Sequence, residues 1–151
     1  MATFYSNLYT EAAADNGSYG YNGPLGTNAH QVVGVNGYAA VPGEITSSDT
    51  ISLFTLPKGA RIVSWVHWWE DLGATMTMTV QNNTTDMKAS IAGGTAQAIT
   101  SATALSTAEL VAGWDESTSA ASTPNITFTT ATTPTAGAKY YFVAQYVMPS
   151  V

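Results

Sequence analysis

Histidine is the side chain most often used for acid–base chemistry near neutral pH, and the chain has two, His30 and His67. His67 lies between Trp65 and Trp69, in a run of β-branched and aromatic residues. A packed, hydrogen-bonded histidine of the core is a better interpretation of that position than a catalytic base. Neither histidine belongs to a recognisable metal-binding or nucleophile motif.

Carboxylates occur as adjacent pairs, Glu70-Asp71 and Asp115-Glu116. Adjacent side chains on an extended chain point to opposite faces, so neither pair is suited to shared catalytic work. The sequence contains no Gly-x-Ser-x-Gly turn, no phosphate-binding loop and no ordered spacing of calcium ligands. Without cysteine it has no disulfide, thiol nucleophile or cysteine zinc site. We therefore expect no catalytic site, no cofactor and no metal, and predict that the protein is not an enzyme.

Trp65, Trp68 and Trp69 are three of the four tryptophans of the chain. Their rings could form a platform on which the apolar faces of sugars stack, which is the pattern of a glycan-binding module. Alternatively they fill the core, because aromatic side chains bury large apolar areas. Core packing is the favoured interpretation, and the sugar platform is the alternative.

The tryptophans lie in the middle of a meander that the sequence predicts between residues 49 and 80. Met76, Met78 and Val80 alternate with threonines, which is the period of a strand with one buried face. The middle strand has large apolar groups on both faces, so we expect it to be covered on two sides or to contact a second subunit. The predicted strands are Thr50 to Leu56, Arg61 to Trp69 and Thr75 to Val80, with turns at Pro57-Lys58-Gly59 and Asp71-Leu72-Gly73. One face of the middle strand would hold Val63, Trp65, His67 and Trp69, and the other Ile62, Ser64, Val66 and Trp68.

Outside the meander, the patterns predict one further strand, a loop and a mixed region. Gln31 to Val41 is predicted as a first strand broken at Asn36-Gly37, and Gln81 to Lys88 as a polar loop. Ser106 with Glu109 fits a helix capping box, although another strand in this Thr-rich region is the alternative.

The C-terminal part of the chain again alternates. Ile126 and Phe128 are separated by threonine, and Lys139 to Met148 forms a long final strand, so the two runs are predicted to pair as a hairpin. Seven or eight strands with little helix favour a single all-β domain over residues 32–151. Its predicted fold is a β-sandwich of jelly-roll or Greek-key type.

Residues 1–31 are predicted to form an extended N-terminal arm beside this domain. Turn signals are dense there, yet aromatic side chains recur, which is untypical of a disordered tail. The arm either lays its aromatics on another surface or folds back on its own domain. Its aromatic residues, which are the candidate contact residues, are Phe4, Tyr5, Tyr9, Tyr19 and Tyr21.

Charged residues make up only 9% of the chain, and the net charge is −6. About 25% is usual in globular proteins. An uncharged surface rich in Thr, Ser, Ala and Gly suits close packing in an assembly. The lack of clustered Lys and Arg argues against binding to nucleic acid or to an anionic membrane. The first residues lack the pattern of a signal peptide, and we expect no membrane-spanning segment.

The segment from Asp49 to Ile62, DTISLFTLPKGARI, resembles the pattern D-x-I-x-L-F-x-L-P-x-G-A-x-I of small β-rich virion proteins of tailed bacteriophages. Glu70 to Val80 resembles the turn and strand that follow in these proteins. Thr135 to Val147, and the opening Met1 to Tyr9, are also similar to theirs. The tryptophan-rich Trp65 to Trp69 departs from the pattern.

The resemblance implies a capsid decoration, or cement, protein. Such a protein is non-enzymatic, binds the major capsid protein on the outer surface of the virion and stabilises the head. Decoration sites lie on symmetry axes, which implies a homo-oligomer, with a trimer as one form. The aromatic residues of the arm would then contact the capsid. A glycan-binding module of a virion or fibre is the alternative function.

Overall fold

Two β-sheets lie face to face in the computed structural model of the chain, which describes residues 2–6 and 32–148. The helical elements described are one α-helix, α1 (Thr107–Ala112), and two 3₁₀ helices, Ile99–Ser101 and Trp114–Ser117. This architecture confirms the predicted all-β sandwich. The strands are β1 (Thr3–Tyr5), β2 (Val32–Ala40), β3 (Thr50–Ser52), β4 (Arg61–Trp69), β5 (Thr77–Asn82), β6 (Thr85–Ala92), β7 (Thr103–Ala104), β8 (Pro124–Thr130) and β9 (Lys139–Val147).

The chain crosses repeatedly between the two sheets. One sheet has five strands in the order β1-β3-β8-β5-β6, and the other has four in the order β2-β9-β4-β7. Within the part of the chain that the structure describes, only β5 and β6 are both consecutive and paired. Apart from the parallel pair β1 and β3, the paired strands are antiparallel. Crossing connections of this kind are typical of Greek-key and jelly-roll sandwiches.

The core forms where the inner faces of the two sheets meet. β9 contributes Tyr140, Phe142 and Tyr146, and each of these side chains is at most 2% exposed. Phe142 stacks on Trp65 of β4, with 5.7 Å between the ring centroids. The other sheet presents Met78 and Val80 of β5 and Ile126 and Phe128 of β8, as the alternating pattern predicted.

The predicted meander over residues 49–80 is wrong, because β4 lies in one sheet whereas β3 and β5 lie in the other, and β3 ends at Ser52 rather than at Leu56. β4 has the predicted bounds, but its two faces differ from the prediction at its start. A bulge between Ile62 and Ser64 shifts the register of this strand against β9. The bulge reverses the alternation locally, so that Ile62 is 2% exposed and Val63 is 40% exposed. The prediction that Val63 shares the inner face with Trp65 is therefore wrong.

The last two strands do not form the predicted hairpin. β8 pairs with β3 and β5 in the five-stranded sheet, whereas β9 lies between β2 and β4 in the other sheet. The connection from Ala131 to Ala138 therefore passes from one sheet to the other. Both strands are amphipathic, and each buries its apolar face from its own side of the core.

Two local predictions around turns are also corrected. β2 runs unbroken through Asn36-Gly37, because both residues pair in register with β9. Gln81 to Lys88 is not a loop but holds the end of β5, a tight turn and the start of β6. Asn83 in this turn has a φ of 52°, a left-handed conformation that asparagine tolerates better than most residues.

The helix predicted from Ser106 and Glu109 is confirmed as α1. Ser106 Oγ accepts a hydrogen bond from the N–H of Glu109 at 3.3 Å, which is one half of a capping box. The Glu109 carboxylate forms an ion pair with Lys88 of β6 at 3.1 Å. The helix is therefore tied to β6 at the edge of the five-stranded sheet.

The first described residues belong to the sandwich, although the sequence predicts an arm over residues 1–31. Asp49 holds β1 in place: its Oδ1 accepts from the N–H of Ala2 at 2.7 Å and its Oδ2 from that of Thr46 at 2.8 Å. These hydrogen bonds, that of Ala2 first, lower the pKa of Asp49. The arm remains a prediction for residues 7–31, which lie outside the described residues.

We expect Asp49→Asn to loosen β1. The amide offers one oxygen to two N–H donors, so one of them loses its acceptor. Hydrogen exchange at the amides of Phe4 and Ser6 should accelerate, and the melting temperature should fall. Asp115→Asn, at an exposed carboxylate, is the matched control and should change neither. Equal exchange rates in both variants would show that Asp49 does not hold the strand.

Candidate interaction surfaces

His67 is buried and hydrogen-bonded within the core. Its Nδ1 lies 2.8 Å from the hydroxyl of Tyr140, which also accepts a hydrogen bond from Trp65 Nε1 at 3.2 Å. The Tyr140 hydroxyl accepts from the indole N–H, and it donates its own proton to Nδ1 when the neutral imidazole carries its ring proton on Nε2. The ring meets Trp69 and Tyr140 edge-on.

Burial determines both the protonation state of His67 and its access to other molecules. It lowers the pKa of His67 to about 4, mainly because the charged ring would lose its hydration, with Lys88 adding a smaller effect. Burial likewise raises the pKa of Tyr140. At 1% exposed, the neutral imidazole has no access to a substrate. The interpretation of His67 as a core histidine is confirmed.

Three of the four paired carboxylates, those of Glu70, Asp71 and Glu116, have structural partners. Glu70 accepts the N–H of Lys139 at 2.8 Å, and Asp71 accepts the N–H of Gly73 at 2.9 Å within its turn. Glu116 accepts hydrogen bonds from Thr85 and Asn83, and that of Thr85 is the main reason why its pKa is lowered. In residues 2–6 and 32–148, no group of three or more His, Cys, Asp or Glu side chains could hold a metal ion.

The three tryptophans of β4 do not form one platform. Trp65 is 1% exposed and Trp69 is 7% exposed, with its Nε1 donating to Thr95 O at 2.9 Å. Trp68 lies on the opposite face of the strand and is half-buried. The sugar platform considered from the sequence is therefore excluded, because two of its three rings lie in the core.

Trp68 belongs instead to an aromatic row across the outer face of the four-stranded sheet. Its ring stacks on Tyr141 of β9 at 5.5 Å, with 8° between the ring planes. Tyr38 of β2 follows at 6.2 Å from Tyr141, and the Lys139 ammonium lies 5.0 Å from the Tyr38 ring centroid. Stacking and the cation hold these rings in defined positions.

Away from the strand ends, the rest of this outer face is uncharged and partly apolar. Val143 lies at its centre and is 40% exposed, between Val66 of β4 and Asn36 of β2. The four strands contain no acidic residue, and their charged residues, Arg61 and Lys139, lie at strand ends. We call the outward side chains of β2, β9 and β4 the outer face. Its members are Val32, Gly34, Asn36, Tyr38, Ala40, Arg61, Val63, Ser64, Val66, Trp68, Lys139, Tyr141, Val143, Gln145 and Val147.

The five-stranded sheet has a different outer side. A groove of about 610 Å³ crosses it; its lining residues are nearly all Ser, Thr, Asn or Gln, and most of the area that they expose is apolar. Several of these already bond one another: Thr127 donates to Gln81 Oε1 at 2.8 Å, and Asn125 donates to the carbonyl of Asn83 at 2.8 Å. The lining residues are Thr3, Ser48, Thr50, Ser52, Gln81, Asn83, Thr84, Thr123, Asn125, Thr127, Phe128 and Thr129.

The predicted contact residues of the arm are only partly described. Phe4 packs against the core of its own domain. Tyr5 lies in β1, while Tyr9, Tyr19 and Tyr21 fall outside the described residues. No helix in the described part of the chain has the length and apolar character needed to cross a membrane.

The outer face corresponds to one of the two alternatives that the sequence offered for β4. Large apolar groups on both faces of this strand predicted either that it is covered on two sides or that it contacts a second subunit. The structure covers the inner faces with the core and leaves Val143, for example, accessible in this chain. An aromatic row such as Trp68 with Tyr141 needs the register between strands, which no local pattern contains.

Two chains of solved phage capsids share this fold. A chain of the capsid of Ralstonia phage GP4 is 16% identical, with a TM-score of 0.65 over 99% of this chain and 100% of that chain. A chain of the cyanophage Pam1 capsid asymmetric unit is 24% identical, with a TM-score of 0.53 over 80% of this chain and 86% of that chain. No family model and no curated protein matches the sequence. At such identities the likeness concerns the fold alone.

Trp65→Ala and Trp68→Ala form a matched pair on the two faces of β4. We expect Trp65→Ala to lower the free energy of unfolding by about 3–5 kcal/mol, because it opens a cavity in the core. Trp68→Ala should cost only about 1 kcal/mol, since it removes one surface stacking partner. Urea denaturation measures both values. Equal losses would mean that the outer ring is as important to folding as the inner one.

The low pKa of His67 predicts a loss of stability in mild acid. The unfolded chain takes up a proton near pH 6.5, the ordinary pKa of a histidine, whereas the folded chain does so only near about 4. Stability should therefore fall as pH decreases from 6.5 to 4, by roughly 3 kcal/mol in total.

Denaturation at several pH values tests this, with His67→Asn as the variant and His30→Asn as the control. In His67→Asn the free energy of unfolding should depend much less on pH between 6.5 and 4.5. In His30→Asn the dependence should remain. The proposal for His67 fails if the slope survives in His67→Asn.

Proposed function

We propose that this chain is a non-enzymatic structural protein of a phage virion that binds the outside of the capsid and stabilises the head. The observation that carries the proposal is the outer face of the four-stranded sheet, which is partly apolar and has no charged residue away from the strand ends. The likeness to chains of two phage capsids supports it, because in the case of Ralstonia phage GP4 it extends over the whole of both chains. The resemblance of Asp49 to Ile62 to small virion proteins points the same way.

Binding through the outer face would cost little desolvation. A buried charge must be paired to be tolerated, and this face has no charged group away from the strand ends. Apolar groups such as Val143 would gain from burial, at roughly 25 cal/mol per Å² of apolar area. Trp68 and Tyr141 supply the aromatic side chains that often dominate the energetics of interfaces.

The outer face is also pre-organised. Trp68 and Tyr141 are already stacked, and Tyr141 donates a hydrogen bond to Glu70 at 3.4 Å. The strands beneath are fixed by the core on their inner side. Binding would therefore freeze few additional side-chain rotations, which lowers the entropic cost of the complex.

The partner in this proposal is the major capsid protein. A contact of standard size, roughly 1,600 Å² of total buried area, that bridges neighbouring subunits would resist their separation. Each copy would contribute a modest free energy of binding, and its repetition over the symmetric shell would add up to a large stabilisation. A homo-oligomer would match the symmetry of such sites.

The arm supplies a second contact in this proposal. Residues 7–31 contain Tyr9, Tyr19 and Tyr21, and their charged residues are the acidic Glu11 and Asp15. Tyrosines at interface hot spots contribute on the order of 2 kcal/mol each. Because Phe4 packs on its own domain, the contact would begin beyond β1.

A glycan-binding module of a virion or fibre is the second candidate function, and the groove of the five-stranded sheet is the observation that favours it. Its hydroxyl and amide groups are the donors and acceptors that sugar hydroxyls need. A glycan array separates the two functions. Binding that is lost in Thr127→Val would support the groove, whereas the absence of any glycan binding would remove this candidate.

Val143→Glu should weaken binding to capsids that have been stripped of the protein. The substitution places a charge at the centre of the outer face, where a close contact would have to bury it, and about 2 kcal/mol of affinity should be lost. Co-sedimentation with the capsids measures the effect. Val111→Glu is the matched control, because Val111 is similarly exposed, at 44%, but lies on α1.

Further outcomes of the same assay separate the two contacts. Tyr19→Ala combined with Tyr21→Ala tests the arm independently of the outer face. If Val143→Glu and Val111→Glu bind alike, the outer face does not contact the capsid. If none of the variants differs from the unmodified protein, and a mass-spectrometric inventory of purified virions lacks the chain, the proposed function itself is refuted.

A further inference from the structure

β2 is the terminal strand of the four-stranded sheet among the described strands, and it lacks the features that usually protect a sheet edge. It is nine residues long and pairs with β9 in continuous register. Its sequence, VVGVNGYAA, contains no charged residue and no proline. Edge strands that remain single commonly carry charges, prolines or bulges that prevent pairing with another chain.

The backbone direction along β2 follows from its last hydrogen bond. The N–H of Val41 donates to Ala138 O at 2.8 Å, so the backbone groups of Val41 face the β9 side. Backbone groups alternate in direction along a strand. Those of Ala40, Asn36 and Val32 are therefore directed away from β9, towards the outer edge of the sheet.

We propose that β2 pairs with β2 of a second copy of this chain, antiparallel and about a two-fold axis at Asn36. Asn36 is the central residue of the strand. In this register the backbone N–H and C=O of Asn36 pair with those of Asn36 in the second copy, and Val32 pairs with Ala40. Residues whose backbone groups point outward meet only residues of the same kind, as an antiparallel ladder requires.

The side chains of β2 are self-complementary in this register. Each large residue meets a small one across the axis: Tyr38 faces Gly34, and Val35 faces Gly37. A Cβ placed on Gly34 would find no atom within 4 Å, so the Tyr38 ring of the second copy has room above it. Aromatic side chains that cover a glycine on a neighbouring strand stabilise such pairs. The remaining pairs are Val32 with Ala40, Val33 with Ala39, and Asn36 with Asn36.

The observations favour a second copy over an unrelated partner strand. When β2 is paired with a second copy of itself, a larger residue faces a smaller one in each of the four different pairs away from Asn36. The chain has a net charge of −6, yet β2 has no charge, so self-pairing brings no like charges together along the strand. The product is a two-fold dimer with a continuous eight-stranded sheet, four strands from each copy. The family resemblance implied a homo-oligomer, with a trimer as one form.

This dimer goes beyond the proposed function, because purified protein would form it without a capsid. Asn36→Cys tests the register directly, since the native sequence has no cysteine. Hydrogen-bonded antiparallel residues lie about 5.5 Å apart between Cα atoms, within the range that a disulfide spans. Under mild oxidation Asn36→Cys should cross-link into a dimer.

Val143→Cys is the matched control for cross-linking. Val143 pairs with Asn36 on β9, and it is also exposed on the outer face. Across the proposed axis the two Val143 positions are three strand spacings apart, roughly 14 Å, which is too far for a disulfide. Asn36→Cys that cross-links no faster than Val143→Cys would overturn the proposal, even if the protein dimerises in another way.

Charge substitution at Asn36 gives a second measurement in solution. Sedimentation of the native protein over a micromolar to near-millimolar series should show a species of twice 15.8 kDa. Asn36→Lys should weaken association roughly tenfold or more, because it places two positive charges across the axis. Mixing it with Asn36→Glu should restore the dimer. A monomeric native protein, or a mixture that associates no better than Asn36→Lys alone, would refute the two-fold pairing.

Discussion

The strand β9 is the constraint on which the rest of the sandwich depends. It pairs with β2 on one side and with β4 on the other, and it places Tyr140, Phe142 and Tyr146 in the core. The hydroxyl of Tyr140 lies among aromatic rings, where an unpaired hydroxyl would cost roughly 1–3 kcal/mol. Trp65 and His67 satisfy it, so the two central strands are joined by side-chain as well as backbone hydrogen bonds. Once this inner side is closed, β9 can offer only its outer side to another molecule.

Local patterns predicted much of this fold because alternation with one buried face is a property of a short segment. The bounds of β4 and the inward set Met78, Val80, Ile126 and Phe128 follow directly from that period. The remaining features depend on distant residues. The bulge after Ile62 is seen only in the register with β9, and β8 and β9 lie in different sheets although they are neighbours in sequence. Pairing partners are chosen by the assembly of the core, which a pattern of apolar residues does not specify.

The candidate surfaces were less predictable than the fold for the same reason. Trp65 and Trp68 are equally aromatic in sequence, and only the position of the second sheet places one in the core and the other on the outer face. Asn36-Gly37 reads as a turn signal by composition, yet it lies inside β2 because nine consecutive pairs with β9 outweigh the local preference. The aromatic row that joins Trp68, Tyr141 and Tyr38 exists only through the register of three strands.

The crossing connections of the chain have a consequence for how fast it folds. Because only the β5–β6 hairpin is formed by consecutive described strands, almost every other pairing must close a long loop before any contact compensates for the lost entropy. Sandwiches dominated by such non-local pairings fold in about milliseconds to seconds, far more slowly than helical bundles. The hairpin, with its tight turn at Asn83, is the pairing that closes the shortest loop, whereas every pairing of β9 closes a long one. A newly made chain therefore spends comparatively long with β2 and other uncharged strands exposed, and its yield depends on completing the sandwich before those strands meet another unfinished chain.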